Sequence, residues 1–192
     1  MKKWELALLL GLVLAVFCAQ FTTFAQSCDA VRGDTLRLHI LANSDDEADQ
    51  GCKLAVRDAL LASYGGQLAQ AGSLAEAKST AQGLLPAMQY TAKQIVAARG
   101  FDYPVSVRLE RMYFAPKQYE EFTLPAGDYD AVRVEIGTAA GHNWFCVMYP
   151  ALCLPAAGEN SAMAVYTTAE QRAVKTPYTV KFAVLEWAQH LR

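Results

Sequence analysis

The stretch Leu36-Arg37-Leu38-His39-Ile40-Leu41-Ala42-Asn43-Ser44-Asp45-Asp46-Glu47-Ala48-Asp49-Gln50-Gly51-Cys52-Lys53-Leu54-Ala55-Val56-Arg57-Asp58 carries two periods in succession. Its first part alternates. Leu36, Leu38 and Ile40 fall on one side and Arg37, His39 and Leu41 on the other, the pattern of a strand. Asn43-Ser44-Asp45 is then helix N-cap chemistry. Asp45, Asp46, Glu47 and Asp49 crowd the first turn or two, where the helix dipole favours carboxylates. Cys52, Val56, Ala59, Leu60 and Ser63 recur at helical spacing as an inner face. Asp46, Asp49, Gln50, Lys53 and Arg57 form the outer face, with an i,i+4 pair between Asp49 and Lys53. The helix is predicted to stop at Gly65-Gly66.

Downstream, Ser73-x-x-Glu76 is a capping-box spacing and opens a second helix ending near Gly83. Pro86 suits the first turn of a third, with Leu85, Met88, Ala92, Ile95 and Val96 as its buried stripe and Gly100 as its stop. Val105, Val107 and Leu109 alternate with Ser106, Arg108 and Glu110 as a strand. Tyr113 to Phe122 is an irregular aromatic stretch, and Leu124-Pro125-Ala126-Gly127 is a turn. Tyr129 to Ile136 and Asn143 to Tyr149 read as further strands, joined by a loop from Gly137 to Gly141. The tail after Pro155 is polar and loosely patterned until Val180, Ala183, Val184, Trp187 and Leu191 mark an amphipathic helix. The predicted class is α+β: an N-terminal strand, a three-helix segment, mostly antiparallel strands and a C-terminal helix.

Upstream, Lys2 and Lys3 precede a nearly pure Leu, Ala and Val run from Leu6 to Phe17, the pattern of a secretory signal. Thr23-Phe24-Ala25 has small residues at −3 and −1, which predicts cleavage after Ala25. The same run is long enough to stay as a single anchor. Three parts follow: residues 1–25 as signal peptide or membrane anchor, 26–154 as the folded domain, and 155–192 as an extension bearing the amphipathic helix. The 192-residue chain is 53% hydrophobic and 19% charged, which excludes a disordered protein. Its 17 basic and 19 acidic side chains lack the excess positive charge of a nucleic-acid binder. No second run approaches the length of a membrane span, so any membrane contact is through the uncleaved signal segment.

Export places the cysteines where disulfides form. Outside the signal stand Cys28, Cys52, Cys146 and Cys153, which allow three pairings. Cys146 with Cys153 is favoured, because Pro150 lies between them and can turn the chain. Such a short loop contributes about 2.5 kcal/mol in the chain-entropy account. Cys28 with Cys52 is then the remaining pair, unless Cys52 is a buried thiol on a helix face.

Known catalytic patterns are missing from the chain. Counted from Asp45, a calcium loop needs Gly at position six and Glu at twelve; Gln50 and Val56 stand there. His39, His142 and His190 are not at zinc spacing, and there is no Cys-x-x-Cys, nucleophile elbow or phosphate loop. One acid–base arrangement stays open, His39 meeting Asp45 or Asp58 in space. Trp144 and Phe145 beside Cys146 read as core packing or as an exposed anchor for a partner.

One ordered set of residues resembles a known family. It comprises Leu36 to Asp45, Asp49-Gln50, Lys53 to Asp58, Tyr103 to Val107, Leu124 to Tyr129, and Gly141-His142-Asn143-Trp144-Phe145-Cys146-Val147 with Pro150 and Cys153. Over roughly residues 31 to 154 it is similar to stage II sporulation protein R of endospore-forming bacteria. The resemblance implies a protein made in the forespore and exported into the space between the two membranes of the dividing sporangium. There it would trigger a membrane-embedded aspartic-type protease of the mother cell, which removes the pro-segment of sigma-E. It implies no enzyme activity, no cofactor and no metal in the chain itself. The residues expected to meet the protease are His39, Asn43, Asp45, Asp49, Lys53, Arg57, Asp58, Asn143 and Trp144. The alternative is a secreted hydrolase using His39, Asp45 and Asp58, or a wall-binding module, at the sporulation septum.

Overall fold

The alternating stretch forms β1 (Leu36–Leu41), an interior strand of its sheet. The computed structural model describes residues 2–119, 122–152 and 163–175. Around β1 the chain forms α1 (Lys3–Gly33), α2 (Glu47–Ala69), α3 (Leu74–Ala98), β2 (Val105–Phe114), β3 (Lys117–Gln118), β4 (Thr123–Leu124), β5 (Gly127–Ile136), β6 (Asn143–Tyr149) and α4 (Thr168–Lys175). The class is α+β. The first element is a helix, α1, and not a strand. The chain divides into two units. One comprises Gly33–Tyr113 and Asp128–Val165; the other comprises Met1–Arg32, Phe114–Gly127 and Tyr166–Arg192.

In the first unit the strand order is β2-β5-β1-β6. β1 runs antiparallel to β6, with Leu38 opposite Cys146 and Ile40 opposite Trp144. It runs parallel to β5, from Leu36 opposite Asp130 to Leu41 opposite Glu135. The long connection through α2 and α3 permits that parallel return. The sheet is therefore mixed. Leu36, Leu38, Ile40, Val132, Val134, Ile136 and Met148 form its inner face, packed against α2 and α3. Each large aliphatic side chain buried there contributes about 1.5–3 kcal/mol.

The helical segment contains two helices where three were expected. α2 passes through Gly65 and Gly66 because its stripe Cys52, Val56, Leu60 continues to buried Leu68. Burying that leucine offsets about 1 kcal/mol lost at each glycine. α3 passes through Pro86, which removes one helix hydrogen bond and costs about 3 kcal/mol. Ala77 and Ala81 before it and Met88, Ala92 and Val96 after it share one buried stripe, which holds the helix in one piece. Its start follows the sequence: Ser73 Oγ accepts the Glu76 N–H at 3.2 Å. Glu76 reaches back to the N–H of Gly72, at 2.8 Å, instead of Ser73.

The second unit holds α1, the β3–β4 hairpin and α4. Phe21, Phe24 and Ala25 of α1 pack around Cys28 and Ala173. α1 is long and apolar enough to cross a membrane, which fits a signal sequence or an anchor. α4 lies in the tail that showed no pattern, and Thr167 with Glu170 caps its start: the Thr167 N–H donates to Glu170 Oε2 at 2.5 Å. The predicted helix from Val180 to Leu191 lies outside the described residues. So does Cys153, and with it the expected Cys146–Cys153 bridge. Cys28 and Cys52, the other expected pair, lie in different units, and each is a free thiol there. Each is buried in the apolar packing of its own unit, Cys28 beside Ala173 and Cys52 on the inner face of α2.

One connection sets up everything at the carboxyl end of β1. β6 lies on the opposite side of β1 from β5, so Gly137–His142 must cross the end of β1. That is a distance of roughly 10 Å, two strand spacings. The crossing chain lies directly on the turn that leaves β1. Ala140 N–H donates to the Asn43 carbonyl at 3.2 Å and Gly141 N–H to the Ala42 carbonyl at 3.0 Å. Gly137 adopts φ +62°, and a side chain there would meet Asn43. A side chain on Gly141 would overlap the backbone of Ser44. Gly141→Ala is therefore expected to destabilise the fold by about 1–3 kcal/mol. Urea unfolding would show it as a lower midpoint at unchanged slope; an unchanged midpoint would contradict the close crossing.

Candidate functional site

The turn Ala42 to Asp46 joins β1 to α2, and its polar side chains turn inward. Asn43 Nδ2 donates to Asp49 Oδ2 at 2.8 Å, and Ser44 Oγ donates to the same oxygen at 2.6 Å. The Tyr103 hydroxyl also bonds Asp49. These donors hold the Asp49 carboxyl below the usual carboxylate range, led by Ser44 and then Asn43. Asn43 Oδ1 accepts the Thr138 N–H at 3.0 Å, and its carbonyl accepts Thr138 Oγ1 at 2.8 Å. One asparagine thus ties the α2 start to the crossing loop.

A second layer repeats the tie. Gln50 Nε2 donates to the Ser44 carbonyl at 2.9 Å, and Gln50 Oε1 accepts from Lys53 Nζ at 2.5 Å. Lys53 Nζ also donates to the His142 carbonyl at 2.9 Å. Burial is the main influence on Lys53 and lowers its pKa. Asp49 and Lys53 are only 5% and 4% exposed, so they are not on the outer helix face as predicted. The expected Asp49–Lys53 pair is replaced by these bonds, because both side chains serve the turn and the loop.

Outside this frame sits an exposed rim. Asp45 Oδ1 accepts the His142 N–H at 2.5 Å and stands 2.5 Å from His142 Nδ1. Those two contacts lower the Asp45 pKa, the backbone bond most. Trp144 is 37% exposed. The Arg57 guanidinium lies over its ring at 4.4 Å and pairs with Asp58 at 2.7 Å. Asn143 is exposed beside Trp144. Two open grooves of about 380 and 490 Å³ flank α3, lined chiefly by residues outside this rim.

The structure therefore sorts the predicted residues. Asn43, Asp49 and Lys53 form the frame. Asp45, Arg57, Asp58, Asn143 and Trp144 form the rim. His39 belongs to neither. It is 3% exposed, stacked on Phe145 at 4.8 Å, on the sheet face turned from the helices. Burial, then Arg133 and Arg37, push its pKa down to about 4. The proposed dyads of His39 with Asp45 or Asp58 are corrected: Asp45 engages His142, and Asp58 engages Arg57. Sequence reasoning assigned no role to Thr138 or Tyr103 and placed Gln50 on the outer helix face; the parts they play become legible only with the crossing. Gly137 and Gly141 bracketing a short loop before His142 were its one visible signal.

The family description Stage II sporulation protein R matches residues 32–159. The chain belongs to that family. It is 35% identical over 118 residues to the stage II sporulation protein R of Bacillus subtilis (strain 168), covering 62% of this chain and 53% of that protein. It thus spans about half the length of that curated relative. No solved structure matches the chain.

Two predictions follow from the frame and from His39. Asn43→Asp removes the donor to Asp49 and sets two carboxylates together, which should cost about 2 kcal/mol or more in denaturant unfolding near neutral pH. Because the Asp49 pKa is lowered on folding, its stabilisation is present above the ordinary carboxylate range and lost as pH falls below it. His39 also has a lowered pKa, so the unfolded chain binds more protons between pH 6.5 and about 4. Stability should fall as pH is lowered across that window, and His39→Gln should flatten that part of the melting profile. An identical pH slope in the variant would contradict a neutral buried His39.

Proposed function

We propose that this chain is an exported sporulation signal that activates the membrane-embedded aspartic-type protease processing pro-sigma-E. In this reading it is made in the forespore and delivered into the space between the two membranes. It acts by docking, without chemistry of its own. Membership of the stage II sporulation protein R family supports the sporulation role. The observation that carries the docking reading is the rim: Arg57, Asp58 and Trp144 stand together, exposed or half-buried, and exposed Asp45 holds His142, two residues before Trp144 in the chain. An aromatic ring with a stacked guanidinium is the composition of an interface hot spot. The frame holds it in place before binding, which lowers the entropy cost of association.

Activation then needs only a preference for the active arrangement of the protease. Each 1.4 kcal/mol of preference, roughly, shifts the ratio tenfold. Trp144 and Arg57 supply the apolar and charged parts of that contact, and Asp45 with His142 supplies its polar edge.

The test is co-expression with the candidate protease and its pro-sigma substrate in a non-sporulating host. Cleavage should appear only when this chain is exported. Trp144→Ala and Arg57→Glu should each lower processing by roughly thirtyfold, the equivalent of about 2 kcal/mol at a hot spot, with export and thermal unfolding unchanged. Full processing by both variants would remove the rim from the account. Processing by a chain held in the cytosol would remove the docking reading itself.

A further inference from the structure

The apolar run and the folded unit meet in one helix. α1 is continuous from Lys3 to Gly33. Its most apolar window has a mean hydropathy of 2.2, and none of it is buried against protein. Leu6, Leu9, Leu12, Val13, Val16 and Phe17 are all exposed. At helical spacing they point to every side, so no single protein face covers them. Further along, the same helix is built into its unit. Phe21 and Phe24 pack around Cys28 and Ala173 of α4. Val31 is buried. Arg32 Nη1 donates to the Ala126 carbonyl at 2.8 Å, and its stem occupies the space a side chain on Gly127 would need. Between the two parts the hydroxyls are satisfied inside the helix. Thr22 and Thr23 donate to the Ala19 carbonyl at 2.9 and 3.0 Å, and Ser27 donates to the Thr23 carbonyl at 3.0 Å.

We infer that α1 is retained as a single membrane anchor, with the unit built on its second half fixed at the outer surface of the lipid bilayer. Lys2 and Lys3 keep the amino end on the cytoplasmic side. About 20 helical residues at 1.5 Å each cross the roughly 30 Å hydrocarbon layer. Counted from Trp4 they end near Thr23, where packing against α4 begins. The bilayer is the one medium that covers an all-round apolar helix and stops where a folded unit starts. Cleavage after Ala25 would fall inside the packed part. It would require Thr23 to Ala25 to leave the helix and extend into a peptidase, and it would strip Phe21 and Phe24 from their cluster.

The inference is independent of the activator reading, since an anchored and a released chain present the same units on the same side of the membrane. The test uses the full chain with a carboxyl-terminal tag, expressed in a bacterium that exports it. Retention predicts an intact mass that includes Lys2 and Lys3. It also predicts recovery with membranes after an alkaline carbonate wash, release only by detergent, and digestion of the folded units by protease added outside spheroplasts. A product beginning at Gln26, extraction by carbonate, or a soluble oligomer recovered without detergent would each overturn it.

Discussion

The crossing of Gly137–His142 over the end of β1 is the constraint from which the site follows. β1 is flanked by β5 and β6, and these consecutive strands can be joined only by passing over its end. The passage brings the loop backbone onto Ala42, Asn43 and Ser44, close enough that Gly141 has no space for a side chain. Asn43 suits the junction because its amide both donates and accepts. It donates to Asp49 on α2 and accepts from Thr138 on the loop. Neither aspartate nor leucine can do both. Lys53 then closes the second tie, from α2 to the His142 carbonyl.

A frame of this kind has a functional consequence. Its buried polar groups bond one another, so they fix geometry and leave little for a partner. What they position is the rim. Trp144 follows directly from the crossing, two residues beyond His142 at the start of an edge strand, and Arg57 reaches it from one helical turn past Lys53. The preformed aromatic–cation pair favours recognition by contact. On the proposed reading the anchor extends the same logic, since a chain held at a membrane meets a membrane-embedded protease in two dimensions.

Much of the fold was legible because the periods are clean. β1, β5 and β6 follow their alternation, and the start of α3 follows Ser73-x-x-Glu76. The helix breaks were misread for one reason: glycine pairs and proline are local costs, whereas burial of Leu68 and of the stripe around Pro86 is a tertiary gain. α4 was overlooked although Thr167-Thr168-Ala169-Glu170 has a capping-box spacing, because no apolar stripe accompanies it. At the site, composition marked Asp45, Asp49, Lys53 and Trp144 but could not sort them. Charge suggests exposure for Asp49 and Lys53; a loop distant in sequence buries them. His39 was assigned to the wrong neighbours because alternation gives the face of a strand and not what covers it.

The central claim is that the rim carried by the crossing is what the protease meets. Hydrogen exchange on the exported chain, alone and bound to the membrane-embedded protease, tests it most directly. The account predicts added protection at Asn143 to Phe145 and around Arg57-Asp58, with the already protected turn at Asn43 unchanged. Protection confined to α3 and β2, with the Trp144 strand exchanging as in the free chain, would contradict it.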